Sequence, residues 1–382
     1  MQYYDYNEFL RLSAVLNYHL SAKQTDWDNI LRIILSGKSV HDHERELLLD
    51  VLHYINKAYG QKRRILGPLS VLHPIRAAAL LARNMESIQT TELITELLHD
   101  NFEDNKPRDF KPSSWFKSDS QIKRLIRTIP ESEQKQLFNW LQYLTMRPDE
   151  TYYHYIGRML DDAVASPQAI RVKLADRLDN TLDMRIDFQD PIEGINFFET
   201  VFQLLFINTY KGYKPSNPHP PRSAINGANR LYQLFKNIVL MSLIRQKQRS
   251  LNDAVAQKIF EHLARASMRE AQRIALHIFG YHEPKIENIR NMLLNTMEYV
   301  QKGGIDSVTA PTMGHRLDGL FISRFDSAQR ESREINLEHL YKDKSLMVEA
   351  AIAFIVIFLS FLNDPNYYVR GISEEGVRAE FI

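Results

Sequence analysis

Nowhere in this chain do apolar residues alternate with polar ones over the length of a strand, and no Asn-Gly turn joins two apolar runs. Apolar residues recur instead at i, i+3 and i+4, which puts them on one face of a helix. The spacing predicts helices over residues 7–20, 26–36 and 43–59, the last stopping at Gly60, and over 119–147 and 150–163. Beyond residue 220 it predicts them over 225–249, 251–279, 284–301 and 343–362. No 20 to 50 residue repeat is present. The expected fold class is all-α: a helical bundle followed by a second helical domain.

Between the halves lies KGYKPSNPHPPRS at 211–223, where Pro215, Pro218, Pro220 and Pro221 cannot continue a helix. A domain boundary is expected there, giving domains 1–211 and 224–382. The longest loop is expected around Gly303-Gly304 and Pro311-Thr312-Met313-Gly314.

Within the first half, TELITELLHDNFED at 91–104 reads as one helix anchored by Leu93, Ile94, Leu97 and Leu98. On it His99 lies one turn before Glu103, and Asp100 one turn before Asp104. Four such groups at the end of an apolar helix are a costly surface unless they bind something. Two further stretches supply companions. His73-Pro74 stands at a helix entrance, since proline is tolerated in a first turn. Pro167 opens QAIRVKLADRLDNTLDMR, where Asp176 and Asn180 share one face and Lys173 and Arg177 the next.

Composition narrows the chemistry. With Cys 0 there is no disulfide, thiolate ligand or cysteine nucleophile, so a metal would be held by His and carboxylates. Two imidazoles and two carboxylates, His73, His99, Asp100 and Asp176, suit a divalent first-row ion with positions left open for water and phosphate oxygen. Such an ion would acidify water and polarise a phosphorus–oxygen bond, with Glu103 placed to take the proton and Asp104 to orient the water.

The order HPIRAAALL, LLHDNFED, VKLADRLDN resembles the HD phosphohydrolase superfamily, and within it the hydrolase domain of the RelA/SpoT homologues, over residues 45–190. The HDxxED form is the more specific part. The resemblance implies manganese-dependent removal of the 3'-pyrophosphate from (p)ppGpp, with His73, His99, Asp100 and Asp176 as metal ligands. It implies that Glu103 and Asp104 activate water, that Asn180 contacts the nucleotide sugar, and that Arg64 faces the guanine. Arg63 and Lys173 join the candidate substrate contacts as phosphate-neutralising charges. The chain departs from the family where Ile65 replaces a second basic residue and where Asp179-Asn180-Thr181-Leu182 replaces His-Asn-Met-Arg. No synthetase motif follows residue 200. The rival expectations are an HD hydrolase of another nucleotide or phosphorylated cofactor, and a non-catalytic alarmone sensor.

Lys+Arg 48 against Asp+Glu 47 leaves a formal charge of +1, which offers no bulk attraction to nucleic acid or membranes. The N-terminal residues show no basic segment followed by an apolar run, so a cytoplasmic protein is expected. The uncharged run 350–362 is 13 residues, short of the roughly 18 expected of a span, and reads as a buried helix. The second half is expected to pack on the first or to make a homo-oligomer interface.

Overall fold

A computed structural model describes residues 6–60, 62–64, 69–104, 120–184, 194–212, 214, 226–250, 252–282, 285–310, 314–327 and 329–378. The fold is all-α; among the described residues the strands form one two-stranded antiparallel sheet, at Ile372–Ser373 and Gly376–Val377.

The chain divides into two compact units that do not follow the expected boundary. The first comprises 1–150, 158–183 and 249–262; the second comprises 151–157, 184–248 and 263–382. Residues 184–211 thus belong with the second unit, and 249–262 return to the first. Prolines mark where a helix cannot continue, whereas a unit is set by what packs with what. In 194–207 Phe197, Leu204 and Leu205 are buried, so that stretch has a core of its own to join. The prolines at 215, 218, 220 and 221 lie outside the described residues.

The first unit contains α1 (Tyr6–Ser21), α2 (Trp27–Leu35), α3 (Asp42–Tyr59), α4 (Leu72–Asn84), α5 (Thr90–Leu98) and α6 (Asn101–Asp104). It continues with α7 (120–126), α8 (Glu131–Leu144) and α10 (Pro167–Asp183); α9 (Tyr152–Asp162) contributes its last residues. Asp26 starts α2 by accepting from the Asn29 backbone N–H. Gly60 closes α3 at φ 53°, a left-handed value that glycine adopts without a Cβ penalty.

α4 is the hub. It packs on α1, α2, α5 and α10, and every residue from Leu72 to Ala82 is buried. Three consecutive alanines, Ala77 to Ala79, allow its neighbours to come close. Pro74 sits in its first turn, where the missing N–H has no helical partner to lose.

Two expected helices are interrupted. The stretch 91–104 splits into α5 and α6 at His99-Asp100. There the His99 Nδ1 bonds to the Glu96 carbonyl at 2.7 Å, and the Glu103 N–H reaches only three residues back, to Asp100. The stretch 119–147 breaks at Pro130, whose ring is incompatible with an unbroken ladder.

The second unit holds α11 (Phe197–Phe202), continued by a π-helical turn to Ile207, then α12 (Gly227–Gln246), most of α13 (Ala254–Tyr281) and α14 (Ile286–Gln301). A 3-10 turn at Gly304–Thr309, a π turn at Phe321–Phe325, α15 (Arg330–Lys342) and α16 (Lys344–Asn363) complete it. The 3-10 turn occupies part of the loop expected after Gly303; residues 311–313 lie outside the described residues. α11 and α15 carry no strong sequence periodicity and were not expected. α16, the apolar run of the sequence, packs on α12, α14 and α15. It is long and apolar enough to cross a membrane by length and composition alone, and 72% of its most apolar window is buried inside the structure.

Candidate metal centre

Four side chains of the first unit converge. His73 comes from the first turn of α4, His99 and Asp100 from the break between α5 and α6, and Asp176 from the middle of α10. One ligand atom of each lies within 4.8 Å of all the others. The mutual packing of α4, α5 and α10 produces this convergence, joining residues 26 to 103 positions apart in the chain. His73 Nε2 stands 3.3 Å from Asp100 Oδ2 and 3.4 Å from Asp176 Oδ1; His99 Nε2 stands 3.1 Å from Asp100 Oδ1 and 3.6 Å from Asp176 Oδ1. The imidazole rings meet edge-on, their centroids 5.3 Å apart.

The outer nitrogens of both rings are engaged. His73 Nδ1 is 2.7 Å from Asp179 Oδ2, and His99 Nδ1 is 2.7 Å from the Glu96 carbonyl oxygen. A carbonyl can only accept, so His99 carries its proton on Nδ1, and a carboxylate favours the same tautomer at His73. Each Nε2 then faces the centre, where it presents a lone pair once its proton is displaced. Both Nε2 atoms are buried and make no hydrogen bond among the described residues. Two inward imidazole nitrogens facing two carboxylates are a donor set that a divalent cation satisfies by displacing the imidazole protons. The donor set of two nitrogens and two carboxylates therefore fits a divalent metal.

Electrostatics agree. Burial opposes charge on both imidazoles, yet the surrounding carboxylates outweigh it and raise His73 to about 10, with His99 also well above its ordinary value. Burial likewise opposes charge on Asp100 and Asp176; the nearby imidazoles, and for Asp176 chiefly Lys173, hold both carboxyls below the usual range. The pocket is so rich in negative charge that its imidazoles hold protons until a cation takes their place.

Beneath the centre lies a layer that sequence reasoning missed. Asp179 accepts from Arg76 Nε at 2.8 Å and Nη2 at 3.0 Å, besides its bond to His73. Arg76 is fully buried, also bonds Ser13 Oγ at 3.1 Å, and pairs with Asp183 at 2.9 Å. Asp179 had figured only as a departure from a family pattern. A signal was present: Arg76 sits among alanines on an apolar helix and needs an acid. His73 and Arg76 share the i, i+3 spacing of Asp176 and Asp179. Glu96 is a second omission. Its carboxyl is fully buried 3.6 Å from His99 Nδ1, neither oxygen has a hydrogen-bond partner among the described residues, and burial pushes it well above the usual carboxylate range.

The remaining candidates are placed as follows. Glu103 is half-buried; its Oε1 accepts from the Met146 N–H at 2.6 Å, and burial raises its pKa. The side chain of Asp104 lies outside the described residues, as does Ile65. Lys173 Nζ donates to Asp176 Oδ2 at 2.8 Å, and Asn180 Nδ2 to Asp176 Oδ1 at 2.5 Å. Arg64 Nη2 donates to Asn180 Oδ1 at 2.6 Å and its Nε lies 3.4 Å from Asp183. Lys173, Asn180 and Arg64 thus form a chain that orients Asp176, and Arg63 is exposed.

This arrangement is compatible with a metal-dependent hydrolase. No family model and no curated protein matches the chain.

Proposed function

We propose that this chain is a metal-dependent phosphohydrolase of the HD type, acting as RelA/SpoT-like hydrolases do, to remove the 3'-pyrophosphate of (p)ppGpp with manganese. The observation that carries the reading is the pair of buried Nε2 atoms facing Asp100 and Asp176. A bound divalent ion supplies Lewis-acid polarisation of a phosphoryl oxygen and an acidified water.

The chain's own residues supply the rest. Asp179 and the Glu96 carbonyl fix the imidazole tautomers, so His73 and His99 bind through Nε2. Lys173 and Asn180 hold the Asp176 carboxylate in one orientation. Glu103, its carboxyl raised by burial and kept in place by the Met146 N–H, takes the proton from the attacking water. The water oxygen bonds to the 3'-phosphorus, the bond from that phosphorus to the sugar oxygen breaks, and the sugar oxygen takes a proton as pyrophosphate departs. Arg63, exposed in the same unit, is the candidate contact for the diphosphate.

A second reading, the same chemistry on another phosphorylated nucleotide or cofactor, rests on Thr181 and Leu182. Both are buried, and the Thr181 hydroxyl donates to the Arg177 carbonyl, so neither side chain is free for a nucleotide. Arg64 likewise has partners in Asn180 and Asp183.

The deciding assay is pyrophosphate release from ppGpp with added manganese. Wild type should turn over, Asp100→Ala should not, and Glu103→Gln should lose ~10²–10⁴-fold in turnover while retaining metal. Metal retention without release by the wild type moves the substrate to another phosphorylated nucleotide. No metal uptake at all refutes the hydrolase.

A further inference from the structure

The second unit contains a polar groove of quite different construction. α14 presents Asn288, Asn291 and Asn295 at i, i+3 and i+7, all exposed, so three amides stand along one helix face over about 10 Å. Asparagine is a poor helix former, and an exposed face that needed only solubility would be better served by Glu, Lys or Gln. These amides line a cavity of ≈ 1090 Å³ whose other walls include Tyr299, His315, Arg316, Asp318 and Glu349.

The charges around it already have partners. Lys302 Nζ lies 2.5 Å from Glu298, and Arg316 pairs with Asp343 at 2.5 Å and with Glu349 at 3.6 Å. Asp318 accepts from the Tyr299 hydroxyl and from the Gly314 and His315 N–H groups, each at 2.8 Å. Among the described residues, the Lys and Arg of its lining are thus in ion pairs, and the lining is dense in groups that both donate and accept. Glu349 is 5% exposed, and its Oε2 is buried without a hydrogen-bond partner among the described residues. Burial pushes that carboxyl up against the opposing pull of Arg316, and its unpartnered oxygen is a hydrogen-bonding position within the lining. Tyr299 and His315 stack on each other with centroids 4.1 Å apart and planes 24° apart, placing an aromatic pair in the lining.

We propose that this groove binds a neutral, polyhydroxylated small molecule of the saccharide class, about two sugar rings long by the ~10 Å span of its amides. Amides offer a donor and an acceptor side by side, the pattern that neighbouring hydroxyls satisfy. The aromatic pair in the lining offers apolar surface for the C–H groups of a sugar ring, and concave sites of this kind use a few placed polar groups to fix orientation. The inference is independent of the metal chemistry, being read by binding and not by turnover.

The test uses the full chain, titrated by calorimetry and ligand-observed NMR with trehalose, maltose, cellobiose and sucrose, alongside glucose 6-phosphate and adenosine. At least one disaccharide should bind saturably. Asn291→Ala and Asn295→Ala should each weaken that binding at least ~10-fold, because a site built around hydroxyls leaves its partners unpaired when an amide is removed. Glu349→Gln, which keeps a hydrogen-bonding side chain of the same length, should bind; Glu349→Leu should not. The unliganded melting temperature of the two Asn variants should match wild type, separating lost contacts from lost fold. Absence of saturable disaccharide binding, equal binding by wild type and both Asn variants, or binding confined to the phosphorylated sugar or the nucleoside overturns the proposal.

Discussion

The metal centre of the first unit and the groove of the second both assemble polar side chains, but they meet the cost of doing so in opposite ways. At the centre, ligand atoms from three helices lie within 4.8 Å and three of the four residues are buried. In the groove, amides from one helix are spread along an exposed face, and the charges are neutralised in pairs. Water can satisfy the groove while it is empty. It does not reach the inward nitrogens of His73 and His99, which are turned toward the centre by hydrogen bonds on the opposite side of each ring. The first site is built for an ion that stays, the second for a ligand that comes and goes.

The largest effect that could break this contrast comes from deleting a ligand. Asp176→Ala and His99→Ala should abolish the high-affinity site, reducing manganese retained after gel filtration from one ion per chain to background, as read by elemental analysis. Retention of a full equivalent by either variant would mean that the ion sits elsewhere.

Next is the layer beneath. Arg76→Met removes the buried guanidinium of Asp179 and Asp183 and leaves them only the longer guanidinium contacts of Arg64, and breaking such a buried pair typically costs ~3–5 kcal/mol. Urea denaturation should show that loss even in metal-free protein, with metal affinity falling ~10–100-fold as His73 loses its support. A change below ~1 kcal/mol would contradict the fully buried network.

A smaller effect concerns pH. Burial pushes Glu92 up to about 8, since Arg171 is shared between Glu92 and Asp253 and only partly offsets it. The folded protein then holds a proton that the unfolded chain releases above its ordinary value of 4.5. Stability from this group is complete below pH 4.5 and is lost as pH rises through about 8. Denaturation midpoints measured across that window should decline, and Glu92→Gln should flatten the decline. An unchanged slope in the variant would assign the dependence to another group. The smallest effect belongs to the groove: without ligand, Asn291→Ala should stay within ~0.5 kcal/mol of wild type by thermal denaturation, as an exposed helix position does.

Helical class could be read from periodicity alone because a 3.6-residue pattern admits few alternatives over so many segments. The ligand set was legible too: His73, His99, Asp100 and Asp176 were singled out by residue type and position, and the structure brings them together. What sequence carried poorly was anything set by neighbours distant in the chain. The helix 91–104 looked continuous because periodicity is blind to a side chain that takes a backbone carbonyl, as His99 does. The unit division was misplaced because prolines report where the backbone bends, and 184–211 and 249–262 are assigned by what their apolar side chains meet.

Sequence by itself determined the all-α class, the residue types at the centre and the exclusion of thiolate chemistry. Only the tertiary structure decided that Asp179, Arg76 and Ser13 form one network beneath His73, and that both imidazoles turn Nε2 inward. The physical reason is that residue identity sets what a group can donate or accept, whereas the packing of α4 on α5 and α10 sets which partner is within 3 Å and whether water can compete.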